Sequence, residues 1–251
     1  SRSFGGSLSS SIDQAYAVAA DSAGNTYATG FYSNTIDWGV GPVSNFGSFD
    51  GFLLKLDGGN GSYVWDKVYR GTAADSGWAV EVEGNEVVVG GYFRTSVSFG
   101  GPVRTATDAG SWVAKYTTTG TYMWDRTFDG TLGDFTRDVA LDPATGDVYV
   151  SGEYRNTVDF GGGPRTSTSG ADAFVVKLNT DGTYEWDAIW NPGPIDVAHA
   201  IAVGPSGDAY VTGEFSGTRD LDPHPVNIFN VTSVGFEDVY VAKLLKATGT
   251  F

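Results

Sequence analysis

One short motif recurs along this 251-residue chain at a fixed interval. It is a glycine followed by two residues, the second always aromatic: Gly30-Phe31-Tyr32, Gly91-Tyr92-Phe93, Gly152-Glu153-Tyr154 and Gly213-Glu214-Phe215. Successive glycines are 61 residues apart each time, and eight residues beyond them stand Trp38, Phe99, Phe160 and Leu221. A second anchor is a lysine inside an apolar run, Lys55, Lys115, Lys177 and Lys243, in FLLKL, WVAKY, FVVKL and YVAKL. A third is a Trp-Asp pair at Trp65, Trp124 and Trp186. Self-similarity at a fixed period marks a repeat architecture, in which each copy is one supersecondary unit that completes its core against its neighbours.

Each period reads as four strands. AYAVAAD, GWAVEVE, RDVALD and HAIAVG supply the first, and NTYATGFY, EVVVGGYF, DVYVSGEY and DAYVTGEF the second. The third holds the lysine and the fourth the Trp-Asp pair. All are short β-branched and aromatic runs bounded by turn residues. SAGN, EGN, ATGD and SGD between the first two strands are hairpin signals. No window sustains a 3.6-residue amphipathic period, so helix content near zero is expected.

Copy four stops after Gly249-Thr250-Phe251, where the others run on into their fourth strand, while SRSFGG at the start matches the end of that strand in DKVYRG. Phe4 falls where Tyr69 and Phe128 fall. The expected fold is an all-β, four-bladed β-propeller closed by the N-terminal strand, a single domain over 1–251. Its blades cover about 8–71, 72–132, 133–193, and 194–251 plus 1–7. A cut-out from a longer array and a flat solenoid are the competing arrangements. Each copy also carries a Gly-, Thr- and Ser-rich stretch between its second and third strands. Such insertions fall on one face of a repeat assembly and are its default site of function.

Composition narrows the chemistry. A net charge of -15 disfavours a phosphate-backbone binder, so no nucleic-acid partner is expected. No run of 18 apolar residues offers a transmembrane helix. The absence of cysteine removes disulfides and thiolate sites. There is no Walker loop, nucleophile elbow or dinucleotide fingerprint.

Several residues are candidates for function. Asp37, Asp159 and Asp220 share one repeat position, with Ser98 in copy two. Together they suggest hard-cation sites, with calcium as the ion, or carboxylates that accept backbone N–H bonds in turns. Asp50, Asp172 and Asp238 form a second such set. The strand lysines are expected to need carboxylate partners, from the repeated Asp or from Asp66 and Asp125. Trp65, Trp124 and Trp186 read as packing between blades. Trp38, Trp78 and Trp190 are the candidates for stacking on a sugar, with core packing as the alternative. Copy four is the most asymmetric, and His199, Asp222 and His224 are its candidates for acid–base chemistry or a metal.

AYAVAADSAGNTYATGFY, DVALDPATGDVYVSGEY and TVDFGGGPRTSTSGADAFVVKLNTDGTYEWDAIW resemble the bacterial β-propeller repeats known as SBBP repeats, and the resemblance runs over essentially the whole chain. It implies a secreted or cell-surface protein, and its label implies seven blades where four copies stand here. The expected function is an extracellular structural or binding module, presenting its long inter-strand segments to a protein, glycan or cell-surface partner, to other domains or to copies of itself. The alternative is a polysaccharide-acting lyase or hydrolase on a propeller scaffold, which needs an asymmetric cleft.

Overall fold

The computed structural model describes residues 2–6, 11–168, 170–190, 196–222 and 229–250. Every helix or strand among them is a β-strand, and no helix is long and apolar enough to cross a membrane. The chain divides into two compact units, Ser1–Thr127 and Phe128–Phe251, each built around two blades.

In the first unit, blade 1 contains β1 (Gln14–Ala20), β2 (Thr26–Tyr32), β3 (Thr35–Asp37), β4 (Pro42–Ser44), β5 (Asp50–Leu56) and β6 (Tyr63–Tyr69). Its main sheet runs β1-β2-β5-β6, all antiparallel, and β3-β4 is a separate two-stranded ribbon. Blade 2 contains β7 (Ser76–Glu83), β8 (Glu86–Ser98), β9 (Val103–Thr117) and β10 (Tyr122–Phe128), the last ending at the unit boundary. Here the ribbon is continuous with the long strands β8 and β9.

The second unit repeats the plan. Blade 3 contains β11 (Phe135–Leu141), β12 (Val148–Tyr154), the ribbon β13 (Thr157–Asp159) and β14 (Pro164–Thr166), then β15 (Asp172–Leu178) and β16 (Tyr184–Trp190). Blade 4 contains β17 (Asp196–Val203), β18 (Ala209–Phe215), the ribbon β19 (Thr218–Asp220) and β20 (Asn230–Thr232), and β21 (Asp238–Leu244). Among the described residues its main sheet has three strands, β17-β18-β21.

The stretches between second and third strands are therefore hairpin ribbons rather than open loops. In blades 1, 3 and 4 their three-residue strands are too short to register as an alternating run. Each ribbon turns away from its blade at one repeat position, occupied by Asn34, Thr95, Asn156 and Gly217, all with φ between 59° and 74°. Asparagine and glycine tolerate this left-handed backbone, whereas a β-branched threonine there is strained.

The 61-residue glycine anchor has one cause in all four blades. The first strand bulges, between Ala15/Ala17, Gly77/Ala79, Thr136/Asp138 and Ala198/Ala200. The bulge pushes the carbonyl oxygens of Gln14, Ser76, Phe135 and Val197 against Gly30, Gly91, Gly152 and Gly213, where any Cβ would collide with them. Glycine in a strand interior marks such a close backbone approach.

Residues 2–6 form no strand and attach to blade 1. Arg2 donates to the Gly61 carbonyl at 3.2 Å, Gly6 bridges Ile36, and the Phe4 ring lies 5.5 Å from Trp38. The Phe4–Trp38 contact has the same form as Tyr69–Phe99 at 5.5 Å and Phe128–Phe160 at 5.3 Å. The N-terminal segment thus sits on blade 1 as the end of an outer strand sits at the next blade's ribbon.

Candidate interaction surface

Strand alternation gives every blade two faces. Here the face bearing the recurrent lysine is termed trailing and the opposite one leading. In the first unit, Tyr27 and Leu53 on the trailing face of blade 1 join Val82, Val87, Val89 and Trp112 of blade 2 in one core. In the second, Ala140, Tyr149 and Val175 of blade 3 join Ile201, Val211 and Leu244 of blade 4.

The lysine and tryptophan anchors meet at these seams. Lys55 Nζ and Trp65 Nε1 both donate to the Thr118 carbonyl of blade 2, at 2.9 and 3.1 Å. Lys177 Nζ and Trp186 Nε1 both donate to the Lys246 carbonyl of blade 4, at 3.4 and 2.9 Å. Thr118 and Lys246 hold the same place, three residues after the lysine of the receiving blade. Two donors from different strands thus converge on one turn carbonyl, which sets the blade spacing there.

The lysines are ion-paired as expected, but with other partners. Lys55 pairs with Asp21 (3.8 Å), Lys115 with Glu86 (2.7 Å), Lys177 with Asp147 (3.3 Å) and Glu185 (2.7 Å), and Lys243 with Asp208 (2.8 Å). Most of these acids sit at the turn joining the first two strands. Asp125, a Trp-Asp carboxylate expected to serve lysine, instead receives Arg104 at 2.8 Å and the Tyr122 hydroxyl. Asp187 receives Arg165 and Tyr184 in the same way. Asp66 accepts from Tyr63 at 2.8 Å, and the ribbon arginine is replaced in blade 1 by Val43. Period-two alternation points a lysine and its strand neighbour to opposite faces, but it cannot choose among acids on other strands.

Asp37 Oδ1 accepts the Gly39, Val40 and Gly41 amides at the ribbon tip, and its carboxyl is held below the ordinary range by those bonds. Asp159 Oδ1 accepts Gly161 and Gly163, and Asp220 Oδ1 accepts Asp222 and Phe229. Among the described residues no three His, Asp or Glu side chains converge to hold a metal. Trp38 is buried among Phe4, Tyr32 and Phe52, and Trp190 is buried with its Nε1 donating to the Leu221 carbonyl at 3.0 Å. Trp78 is half-buried, 5.0 Å from Tyr92. His199 on β17 faces Glu214 at 3.3 Å, Asp222 follows the ribbon strand β19, and His224 lies outside the described residues.

One cleft of 460 Å³ in the first unit brings two of these candidates together, Asp37 and Trp38, with Arg2, Phe4 and Tyr63. In blades 2 and 3 the tyrosine matching Tyr63 lies against a ribbon glycine, Tyr122 on Gly101 and Tyr184 on Gly162. Gly39 and Gly41 have open space instead.

A fourth recurrent set escapes a reading that starts the first strand at residue 15. Asp13, Asp75, Asp134 and Asp196 precede that strand at intervals of 62, 59 and 62 residues, so the period itself contained the signal. They tie the strand start to the ribbon kink. Asp13 accepts the Ser33 amide, Asp75 that of Arg94, Asp134 that of Arg155, and Asp196 that of Ser216 together with the Arg219 guanidinium.

Burial pushes Asp75, Asp134 and Asp172 up to about 7. Each then binds more proton in the folded than in the unfolded state between its ordinary value, about 3.9, and its folded one. Stability consequently falls as pH rises across that window, by up to about 1.4 kcal/mol per pH unit for each group. Asp208 works in the opposite sense, drawn down to about 2 by Lys243, so its contribution is lost below about pH 4. Urea unfolding is expected to show a higher midpoint at pH 5 than at pH 8. A flat or rising profile would count against the buried carboxyls.

The ribbons and the segments following them carry exposed apolar side chains: Val40 and Phe46 in blade 1, Val103 in blade 2, and Phe229, Val234 and Phe236 in blade 4.

Four antiparallel sheets of blade type, repeated down to their bulges, kinks and ion pairs, define an all-β repeat protein of the β-propeller class. No family model matches the chain. It is similar to an uncharacterized WD repeat-containing protein of Acanthamoeba polyphaga mimivirus, 26% identical over 109 residues, or 38% of this chain. The matched region spans 8% of that protein's length.

Proposed function

We propose that this chain is an extracellular structural or binding module that presents its ribbons to protein or glycan partners at a cell surface. The observation that carries this reading is the set of exposed apolar side chains on or just after the ribbons, with Phe46 and Phe236 the most exposed aromatics. Ribbons projecting from rigid sheets hold such groups in place without core contacts, as binding surfaces do. The cleft beside Asp37, Trp38 and Tyr63 adds polar groups suited to a sugar. Likeness to SBBP repeats supports the extracellular setting.

The test is retention of the labelled chain on intact bacterial cells and on a glycan array. Substituting Phe46→Ser and Phe236→Ser together is expected to cut retention at least about tenfold, the loss of one to two buried aromatic anchors. Equal retention by the doubly substituted chain, or none by the parent on either support, would reject the reading.

A further inference from the structure

We propose that the cleft in blade 1 binds an acidic sugar, a uronate whose carboxylate accepts from Arg2 and Trp38 while its hydroxyls donate to Asp37. The inference rests on the glycan arm of the function proposed above and names the class of sugar. All residues lining the cleft belong to the first unit, and the repeat shows why it is there. In blades 2 and 3 the first ribbon glycine, Gly100 or Gly161, is covered by the tyrosine that begins the outer strand, Tyr122 or Tyr184. An arginine on the returning ribbon strand, Arg104 or Arg165, also reaches the outer-strand carboxylate. Blade 1 departs at both points. Val40 stands where Gly162 makes room for its tyrosine, and Val43 replaces the arginine. With neither tie in place, Gly39 has open space over it and 460 Å³ is left between the ribbon and β6.

The cleft is furnished with hydrogen-bond donors. Phe99, Phe160 and Leu221 stand where blade 1 has Trp38, so blade 1 alone brings an indole N–H to this position. That side chain is 3% exposed, and its Nε1 has no hydrogen-bond partner among the described residues. Buried donors are nearly always paired, so this one in the cleft wall points to an acceptor on a ligand. Arg2 lines both this cleft and an adjoining one of 380 Å³. Its Nε and Nη2 donate to the Gly61 and Asn60 carbonyls, and it has no carboxylate partner among the described residues, although acids outnumber Lys and Arg 30 to 15. A guanidinium fork is matched by a carboxylate. Asp37 makes the opposite demand. Its Oδ1 takes the three ribbon amides, so Oδ2 remains to accept from a ligand hydroxyl. A carboxylate in the wall also repels a bare anion, which restricts the site to a ligand bearing hydroxyls beside its acid group. A uronate carries both on one ring.

Calorimetric titration with glucuronate, glucose and acetate tests the assignment. Glucuronate is expected to bind at least about tenfold tighter than either of the others, the difference made by one charge-assisted hydrogen bond or more. Glucose has the hydroxyls without the acid, and acetate the acid without the hydroxyls. Arg2→Gln and Trp38→Phe are each expected to bring glucuronate down to the level of glucose. Arg2 is exposed, and Trp38→Phe installs the residue that blades 2 and 3 hold there, so both variants fold, which circular dichroism melts verify. Glucose or acetate binding as tightly as glucuronate overturns the inference, as does a preference unchanged in both variants. A chain retained on cells through Phe46 and Phe236 that ignores glucuronate overturns this inference and leaves the surface-binding reading standing. Selective glucuronate binding by a chain that cells and array do not retain supports the cleft assignment and rejects that reading instead.

Discussion

Substituting Lys177 with alanine is expected to destabilise the second unit by about 3–5 kcal/mol, the cost of stripping a buried ion pair of one partner. Its Nζ is buried at the seam between blades 3 and 4, 2.7 Å from Glu185 and 3.3 Å from Asp147, and donates to the Lys246 carbonyl. Removing the cation leaves two carboxylates beside the Tyr149 ring without their closest counter-charge. Urea unfolding should show the midpoint falling by more than about 1 M, given an m-value of about 1–3 kcal/mol/M. Lys177→Met, which restores most of the volume but no charge, is expected to recover little. Lys243→Ala is the control. That side chain is half-exposed, so its loss should leave the midpoint nearly unchanged. A Lys177→Ala effect as small as the control would show that the seam does not depend on its lysine.

Trp190→Ala is expected to cost a similar amount, about 3–5 kcal/mol, the range for emptying a buried aromatic site. Trp190 is 1% exposed, its indole donates to the Leu221 carbonyl at 3.0 Å, and its ring lies 5.6 Å from Tyr240. The substitution both opens a cavity between blades 3 and 4 and strands a ribbon carbonyl of blade 4. Unfolding midpoints measured beside glycan binding separate two roles for this residue. A core tryptophan lowers the midpoint, whereas one that stacks on a ligand loses binding at unchanged stability.

The two substitutions fall on different grades of sequence information. Lys177 was visible as a repeat anchor, and its need for an acid followed from the apolar run around it. Which acid it meets was not visible, because Asp147, Glu185 and Asp187 lie on or beside the two strands that flank it and only strand register separates them. Trp190 follows the repeat less clearly, matching Tyr69 and Phe128 rather than another tryptophan, and so it stood out as a candidate for binding. Its burial depends on the ribbon of the next blade, far along the chain. The ribbons themselves are not legible in the sequence, since in blades 1, 3 and 4 three-residue strands with Gly-rich tips carry no period.

By itself the sequence determined that the chain is all-β, that it carries four copies of one four-stranded plan, and where the hairpin turns fall. These follow from local rules: alternation along a strand, glycine where the backbone comes too close for a Cβ, and turn residues at fixed offsets. The tertiary structure alone decided which acids receive the lysines, that Asp13, Asp75, Asp134 and Asp196 lock the ribbon kink, and which faces are covered. Four copies share one pattern of apolar residues, yet Val175 is sealed and Val241 is open to water. The residue type is the same in both, and burial is set by whether another blade lies against it.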